Sequence, residues 1–399
     1  MWEKSIDINL ISEIRAKTTV YFGVGAIGKM TDIAQELSKR GINKVVVVTG
    51  KSSHIKTGAW DKVKQALDAA NIAYTLYSKV TPNPTVDQVD EATQLARAFG
   101  AQAVIAIGGG SPIDAAKSVA ILLEYTDKTG RDLYEFKFTP VKAAPIVAIN
   151  LTHGTGTEVD RFAVVSIPEK EYKPAIAYDC IYPLYAIDDP ALMTMLPADQ
   201  TVYVTIDAVN HVVEAATTTV NNPFAISLAR ETIKLVAEYL PRAKQDPQDL
   251  QARYFLLYAS LIAGISFDNG LLHFTHALEH PLSGVRPELA HGKGLGILLP
   301  AVVKQIYPAK GAILADILAP IIPGLTGAET ESHKVYTALK EWLKSMGINA
   351  CLADEGFAAG DIDKLVKLAF ETPSLKTLLD LAPVPATPEV VRNIYNDAL

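Results

Sequence analysis

The chain has 399 residues, 49% of them hydrophobic and 20% charged, a length and balance that predict two well-buried domains rather than one core. A formal charge of −7 leaves no basic footprint for nucleic acid or an anionic membrane surface, so neither is expected as a partner. The N-terminus mixes charged with apolar residues and lacks a signal-peptide core, and no later segment reads as a membrane span. With only two cysteines, Cys180 and Cys351, a reducing, cytoplasmic location is expected.

Along the first half, TVYFG, AIGKMTDIAQELSKR, KVVVVTG, WDKVKQALDAAN, IAYTLYS, VDQVDEATQLARAFG, AVIAIGGG and SPIDAAKSVAILLEY alternate β-branched runs with helical stretches. That rhythm predicts βαβ units on a parallel sheet, its strands apolar throughout because helices cover both faces. PIVAIN, FAVVSIP and LYAIDDP read as further strands. After residue 190 the strand signals stop. TVYVTIDAVNHVVEAATT, FAISLARETIKLVAEYL, LQARYFLLYASLIAGISF, HKVYTALKEWLKSMG and TPEVVRNIYNDAL predict a helical domain. Pro197, Pro223, Pro241 and Pro300 are expected at the ends or first turns of these helices, where a missing N–H is tolerated.

AVIAIGGGSPIDAAK runs from strand through a glycine triplet into a helix. Gly108, Gly109 and Gly110 allow close backbone approach, Ser111 is expected as the N-cap and Pro112 at the first helical position, and the free N–H groups there suit a phosphate. Asp114 and Lys117, one turn apart, either reach the ligand or pair on the surface. A literal G-x-G-x-x-G at Gly23, Gly25 and Gly28 is weak alone, because KVVVVTGKSS ends without the acid that would bind a ribose 2′-OH. Either no dinucleotide binds there, or the 2′ position carries a phosphate.

Four of the eight histidines, His273, His276, His280 and His291, fall between residues 273 and 291. The first three would share one face of a helix, as would Asp207, His211 and Glu214 on an earlier one. Imidazoles with one carboxylate suit Fe²⁺ or Zn²⁺ and leave positions open for substrate. Spacing alone does not say which of these residues are ligands.

Together, GGGSPIDAAK, THGTGTEV, DAVNHVVEA, HALEHPLSG and AHGKG resemble, in order and across nearly the whole chain, the iron-dependent (group III) alcohol dehydrogenase family. The resemblance implies a dehydroquinate synthase-like architecture: an α/β dinucleotide-binding domain with a parallel sheet (1–188), an all-α metal-binding and substrate domain (189–399), metal in the cleft, and a homodimer. It implies Asp207, His211, His276 and His291 as ligands and His280 as a proton relay. It further implies Gly108, Gly109, Gly110 and Ser111 at the pyrophosphate, Thr152 and Thr155 along the cofactor, Asp114 as the acid of the loop helix, and Lys173 on the nicotinamide ribose. The Gly23 to Gly28 pattern then keeps only a supporting role near the dinucleotide.

The chain departs from the family pattern at several positions. Gly50 stands where NAD-using members carry Asp, and with Ser52 beside it this favours NADP(H) over NAD(H). His273 and His153 occupy positions that are usually small, and are expected to narrow the site or add proton-transfer groups. The implied reaction moves a hydride between a primary alcohol or small diol, or the matching aldehyde, and the nicotinamide, with Fe²⁺ favoured and Zn²⁺ possible as the metal. Glycerol dehydrogenase and dehydroquinate synthase-like lyase activities are alternatives on the same fold. The lyase needs a basic cluster, and only Arg286 and Lys293 lie near the histidines. A non-enzymatic metal-binding protein has no use for an open coordination site beside a dinucleotide loop.

Overall fold

The computed structural model describes residues 2–399. Eight strands, β1 (Thr19–Phe22), β2 (Lys44–Gly50), β3 (Ala73–Val80), β4 (Ala103–Gly108), β5 (Ile146–Asn150), β6 (Phe162–Val164), β7 (Ala175–Ala177) and β8 (Tyr185–Asp188), all lie in the first half. Six of them form one sheet in the order β1-β8-β5-β4-β2-β3, with every pair parallel. Helices α1 (Met30–Lys39), α2 (Ser53–Lys56), α3 (Ala59–Ala69), α4 (Val86–Phe99), α5 (Gly110–Glu124) and α6 (Gly130–Tyr134) accompany them.

The apolar strands are explained by two covered faces. Val46, Val48, Val104 and Ala106 pack into one core with α4 and α5, whereas Val45, Val47 and Ile105 pack into another with α1 and α3. Successive side chains point to opposite faces, so a strand buried on both sides has no polar position to offer. FAVVSIP behaves differently from the expectation: β6 leaves the main sheet and pairs antiparallel with β7 in a separate two-stranded ribbon.

The second half is helical: α7 (Ala198–Thr217), α8 (Pro223–Gln245), α9 (Leu250–Gly270), α10 (Phe274–Val285), α11 (His291–Ile317), α12 (Ser332–Met346), α13 (Ile362–Glu371), α14 (Leu375–Asp380) and α15 (Pro388–Ala398). Pro197 caps α7 and Pro223 opens α8 as expected, but Pro241 and Pro300 lie inside α8 and α11. Their neighbours hold these turns together, because each helix is clamped on its apolar side by the large core of this domain. Two helices, α9 and α11, are also long and apolar enough to cross a membrane, against the expectation of no such segment, and most of each is buried in the protein. They are apolar nearly all round because they run through the domain centre.

The halves are joined by a buried polar contact. Arg253 on α9 is fully buried and donates to His153 Nε2 at 2.8 Å and to Thr201 Oγ1 at 2.8 Å, while Thr205 Oγ1 lies 3.1 Å from His153 Nδ1. His153 thus accepts from an arginine of the other domain and faces no ligand space, contrary to the expectation that it narrows the site. Burial first, and the Arg253 charge second, push its pKa down from 6.5 to about 3. The neutral ring is therefore the folded form, and the unfolded chain takes up the proton first as pH falls. This contribution to stability is whole above about pH 6.5 and declines towards pH 3, by on the order of 1 kcal/mol per pH unit. Unfolding curves at pH 7.5 and 5 should show a shallower loss for His153→Gln than for the wild type; equal slopes would remove His153 from the account.

Candidate active site between the domains

A cleft of about 1290 Å³ runs between the domains, larger than the few hundred to about 1,000 Å³ usual for one small ligand. Its floor on the α/β side is the carboxyl end of the sheet: Gly50 at the end of β2 and Ser52 beyond it, Gly109 and Ser111 after β4, and Thr152 after β5. Between β2 and β4 the chain direction across the sheet reverses, which is where open α/β sheets bind ligands.

The phosphate loop is built more tightly than the glycine triplet alone suggests. The N-cap of α5 is Gly109, not Ser111, and Pro112 falls in the first turn rather than at its first position. A side chain on Gly109 would meet Thr152 Cγ2 at 2.7 Å, and one on Gly110 would meet Thr155 Cγ2 at 2.7 Å. The glycines thus let Thr152 and Thr155 lie over the turn, while Gly110 and Ser111 bring first-turn N–H groups without helical acceptors to the cleft. This cradle fits a pyrophosphate, which needs backbone N–H groups at a helix N-terminus.

Asp114 borders the cleft, but its carboxylate accepts from Thr157 Oγ1 at 2.7 Å and from the Val164 N–H at 2.9 Å. Lys117 does not pair with it on the surface. It is fully buried and donates to the Asp160 carboxylate at 2.8 Å and the Phe162 carbonyl at 2.7 Å, anchoring the β6–β7 ribbon. The turn carrying Gly23, Gly25 and Gly28 lies after the edge strand β1, where the Ile27 N–H donates to Asp189 at 3.1 Å. It is not among the residues bordering the cleft.

On the helical side Asp207 and His211 sit one turn apart on α7, His276 and His280 one turn apart on α10, and His291 opens α11. Ligand atoms of Asp207, His276 and His291 all lie within 4.8 Å of one another. His211 Nε2 is 3.3 Å from Asp207 Oδ1, and its ring stacks on His276 with centroids 4.7 Å apart. His280 stands beside this group, its Nδ1 2.8 Å from the Lys173 carbonyl oxygen.

Two glutamates set the imidazole tautomers. Glu214 takes the His276 Nδ1–H, and Glu279 takes the His291 Nδ1–H. Each ring therefore turns an Nε2 lone pair towards Asp207. His276 Nε2 and Asp207 Oδ1, buried and 3.4 Å apart, have no hydrogen-bond partner. With neutral His276 this is a pair of facing acceptors that calls for a positive charge between them, a proton or a metal ion, and the donor set fits a divalent metal. The surroundings favour any positive charge: burial opposes it on His276, yet Glu214 and Asp207 outweigh burial and raise that ring to about 9. Burial likewise opposes ionisation of Asp207, but His211 and the other rings hold it below the usual carboxylate range. His280, by burial and then by Lys173, is held well below 6.5 and is neutral.

Sequence reasoning placed Glu214 with Asp207 and His211 among the residues whose ligand role spacing left open, and missed Glu279. Glu279 looked like an ordinary helix acid; the signal for both was their position three residues after a histidine, His211 or His276. His273 is not on the histidine face of a helix. It is the N-cap of α10, its Nδ1 accepting the Phe274 N–H at 2.6 Å and its Nε2 lying 2.9 Å from Thr217 Oγ1. It is not among the residues that border the cleft and does not narrow it.

Comparison with known proteins agrees with this geometry. The family model for iron-containing alcohol dehydrogenase matches residues 17–190, and that for the C-terminal part of the Fe-containing alcohol dehydrogenase family matches residues 201–399. The chain is 61% identical over 398 residues to a long-chain primary alcohol dehydrogenase, AdhA, of Thermoanaerobacter ethanolicus, covering 100% of both chains. It is 30% identical over 366 residues to the NAD-dependent methanol dehydrogenase of Bacillus methanolicus, covering 90% of this chain and 95% of that one. The crystal structure of NADH-dependent butanol dehydrogenase A from Thermotoga maritima superposes with a TM-score of 0.89 at 30% identity, covering 97% of this chain and 98% of that one. The protein belongs to the iron-containing alcohol dehydrogenase family and is an NAD(P)-dependent oxidoreductase of the alcohol dehydrogenase type.

Proposed function

We propose that the protein interconverts primary alcohols and aldehydes with NADP(H) preferred over NAD(H), Fe²⁺ or Zn²⁺ being held by Asp207, His211, His276 and His291. The observation that carries this reading is the pair of unpartnered acceptors, Asp207 Oδ1 and His276 Nε2, in a cleft continuous with the glycine cradle. A divalent ion bound there would supply Lewis acidity for a substrate oxygen, and a bound nicotinamide would be the hydride carrier.

The chain's own residues do the rest. Gly110 and Ser111 bind phosphate through their N–H groups, with Thr152 and Thr155 along the dinucleotide. His280, fixed through Nδ1 by the Lys173 carbonyl, presents a neutral Nε2 that accepts the proton leaving the substrate oxygen. Phe162 and Phe267, with ring centroids 5.4 Å apart, and Leu272 pack together beside His211, on which Phe267 stacks at 4.4 Å. That apolar wall suits an alkyl chain and excludes water, in keeping with the long-chain substrate in the name of the Thermoanaerobacter relative. Membership of the family supports a homodimer as the working form, and the two free cysteines suit a reducing compartment such as the cytoplasm.

The preference for NADP(H) rests on the end of β2, where Gly50, Lys51 and Ser52 border the cleft. No carboxylate there repels a 2′-phosphate.

Protein reconstituted anaerobically with Fe²⁺ or Zn²⁺ should oxidise NADPH faster than NADH when given straight-chain aldehydes. No oxidation with any aldehyde would end the proposal. His276→Ala should lose stoichiometric metal and turnover together, whereas metal-dependent turnover in that variant would remove His276 from the ligands. At Gly50 a Cβ would meet Val80 O at 3.4 Å and Pro112 Cγ at 4.0 Å, both ordinary contacts, so Gly50→Asp should fold normally. It should shift the ratio of kcat/KM values towards NAD(H) by about tenfold or more, which is about 1.4 kcal/mol; an unchanged ratio contradicts the cofactor assignment.

A further inference from the structure

Lys173 lies on the α/β domain, in the loop that leads into β7, yet its polar atoms are engaged by the helical domain. Its ammonium is 3.3 Å from Glu279 Oε2, and its carbonyl oxygen is 2.8 Å from His280 Nδ1. The ammonium is also 3.3 Å from His291 Nδ1. Because both of those groups are donors, they are neighbours converging on one carboxylate and not partners of each other. The side chain is almost entirely buried.

The loop is seated on the helical domain with little freedom. A Cβ on Gly284 of α10 would lie 2.2 Å from the Glu171 carbonyl oxygen, so backbone meets backbone there. The Ala175 N–H donates to Ser374 Oγ at 2.9 Å, and Glu171 pairs with Lys364 at 2.7 Å. Three carboxylates, Asp207, Glu214 and Glu279, stand in or directly behind the metal site. One divalent ion and one ammonium balance them, and Lys173 is the cation in contact with Glu279.

We propose that Lys173 is a positioning residue of the metal centre, neutralising Glu279 behind His291 and holding His280 through its carbonyl, so that two histidines of the helical domain are oriented by a loop of the other domain. The proposal rests on the metal reading above and assigns Lys173 a task apart from any contact with the nicotinamide ribose. Loss of the ammonium leaves Glu279 buried with a net charge, which weakens its grip on a single His291 orientation.

The test uses metal-stripped full-length protein loaded with Co²⁺, its visible absorption, the rate of Co²⁺ loss to a chelator, and NADPH binding to the metal-free protein. Lys173→Met should alter the Co²⁺ spectrum and lose the ion roughly 10–100-fold faster, the usual cost of removing such a supporting group. Lys173→Arg should restore much of both. Gly284→Ala alters neither side chain but displaces the loop, and should perturb the same spectrum. A Lys173→Met protein with the wild-type spectrum and loss rate, and only weaker NADPH binding, overturns the proposal and makes Lys173 a cofactor residue alone. A wild-type protein that takes up no Co²⁺ overturns the metal reading itself, and this proposal with it.

Discussion

A carboxylate oxygen of Asp207 and Nε2 of His276 face each other 3.4 Å apart in the protein interior, and with Nδ1–H given to Glu214 the neutral ring offers Nε2 as a lone pair. Bringing two lone pairs together away from water costs several kcal/mol unless a cation lies between them. Much of the helical domain serves this contact. Helix α7 carries Asp207 and His211 while packing on α8, α9 and α11, and α10 and α11 bring His276 and His291 to it. Glu214 and Glu279 each spend an oxygen on fixing a ring.

Glu214 shows how one side chain joins fold to site. Its second oxygen accepts the backbone N–H groups of His273 at 2.9 Å and Thr275 at 2.8 Å. A carboxylate at the start of α10 satisfies N–H groups that the helix cannot, and the helix dipole favours its charge. Burial opposes that charge, but His276 and the other donors around it keep the Glu214 pKa below its ordinary value. The acid that orients the ligand thus also satisfies N–H groups at the start of the helix that carries it, so the position of α10 and the orientation of His276 depend on one carboxylate.

The parts that could be read in the sequence were those governed by short-range periodicity. Valines at 45–48 had to form a doubly covered strand, and a glycine triplet between a strand and a helix had to be a turn at the carboxyl edge of the sheet. Asp207 with His211, and His276 with His280, showed their shared faces through four-residue spacing. What escaped depended on contacts between distant segments. Glu279 gains its role only when α11 brings His291 to it, and His153 only when Arg253 arrives from the other domain. Proline at 241 or 300 inside a helix is likewise a tertiary outcome, since the surrounding core keeps the helix going where local rules would end it. FAVVSIP carried a strand pattern without information on which sheet it would join.

The turn between α9 and α10 shows what the site costs the fold. Leu271 has φ of 63°, a region that a residue with a branched side chain enters at a cost of about 1–3 kcal/mol. Just before it, a Cβ on Gly270 would meet the Ala215 carbonyl oxygen at 2.5 Å, so the chain passes α7 at backbone contact. Just after it, His273 turns its N–H onto Glu214 and its ring onto Thr217, both on α7. The chain thus passes from α9 to α10 in three residues while pressed against the helix that supplies Asp207. The strain at Leu271 is offset by the bonds this turn completes, because a wider turn would carry the start of α10 away from Glu214 and leave the His276 ring without its orienting carboxylate. His273, the histidine that metal-ligand spacing could not explain, helps close that turn.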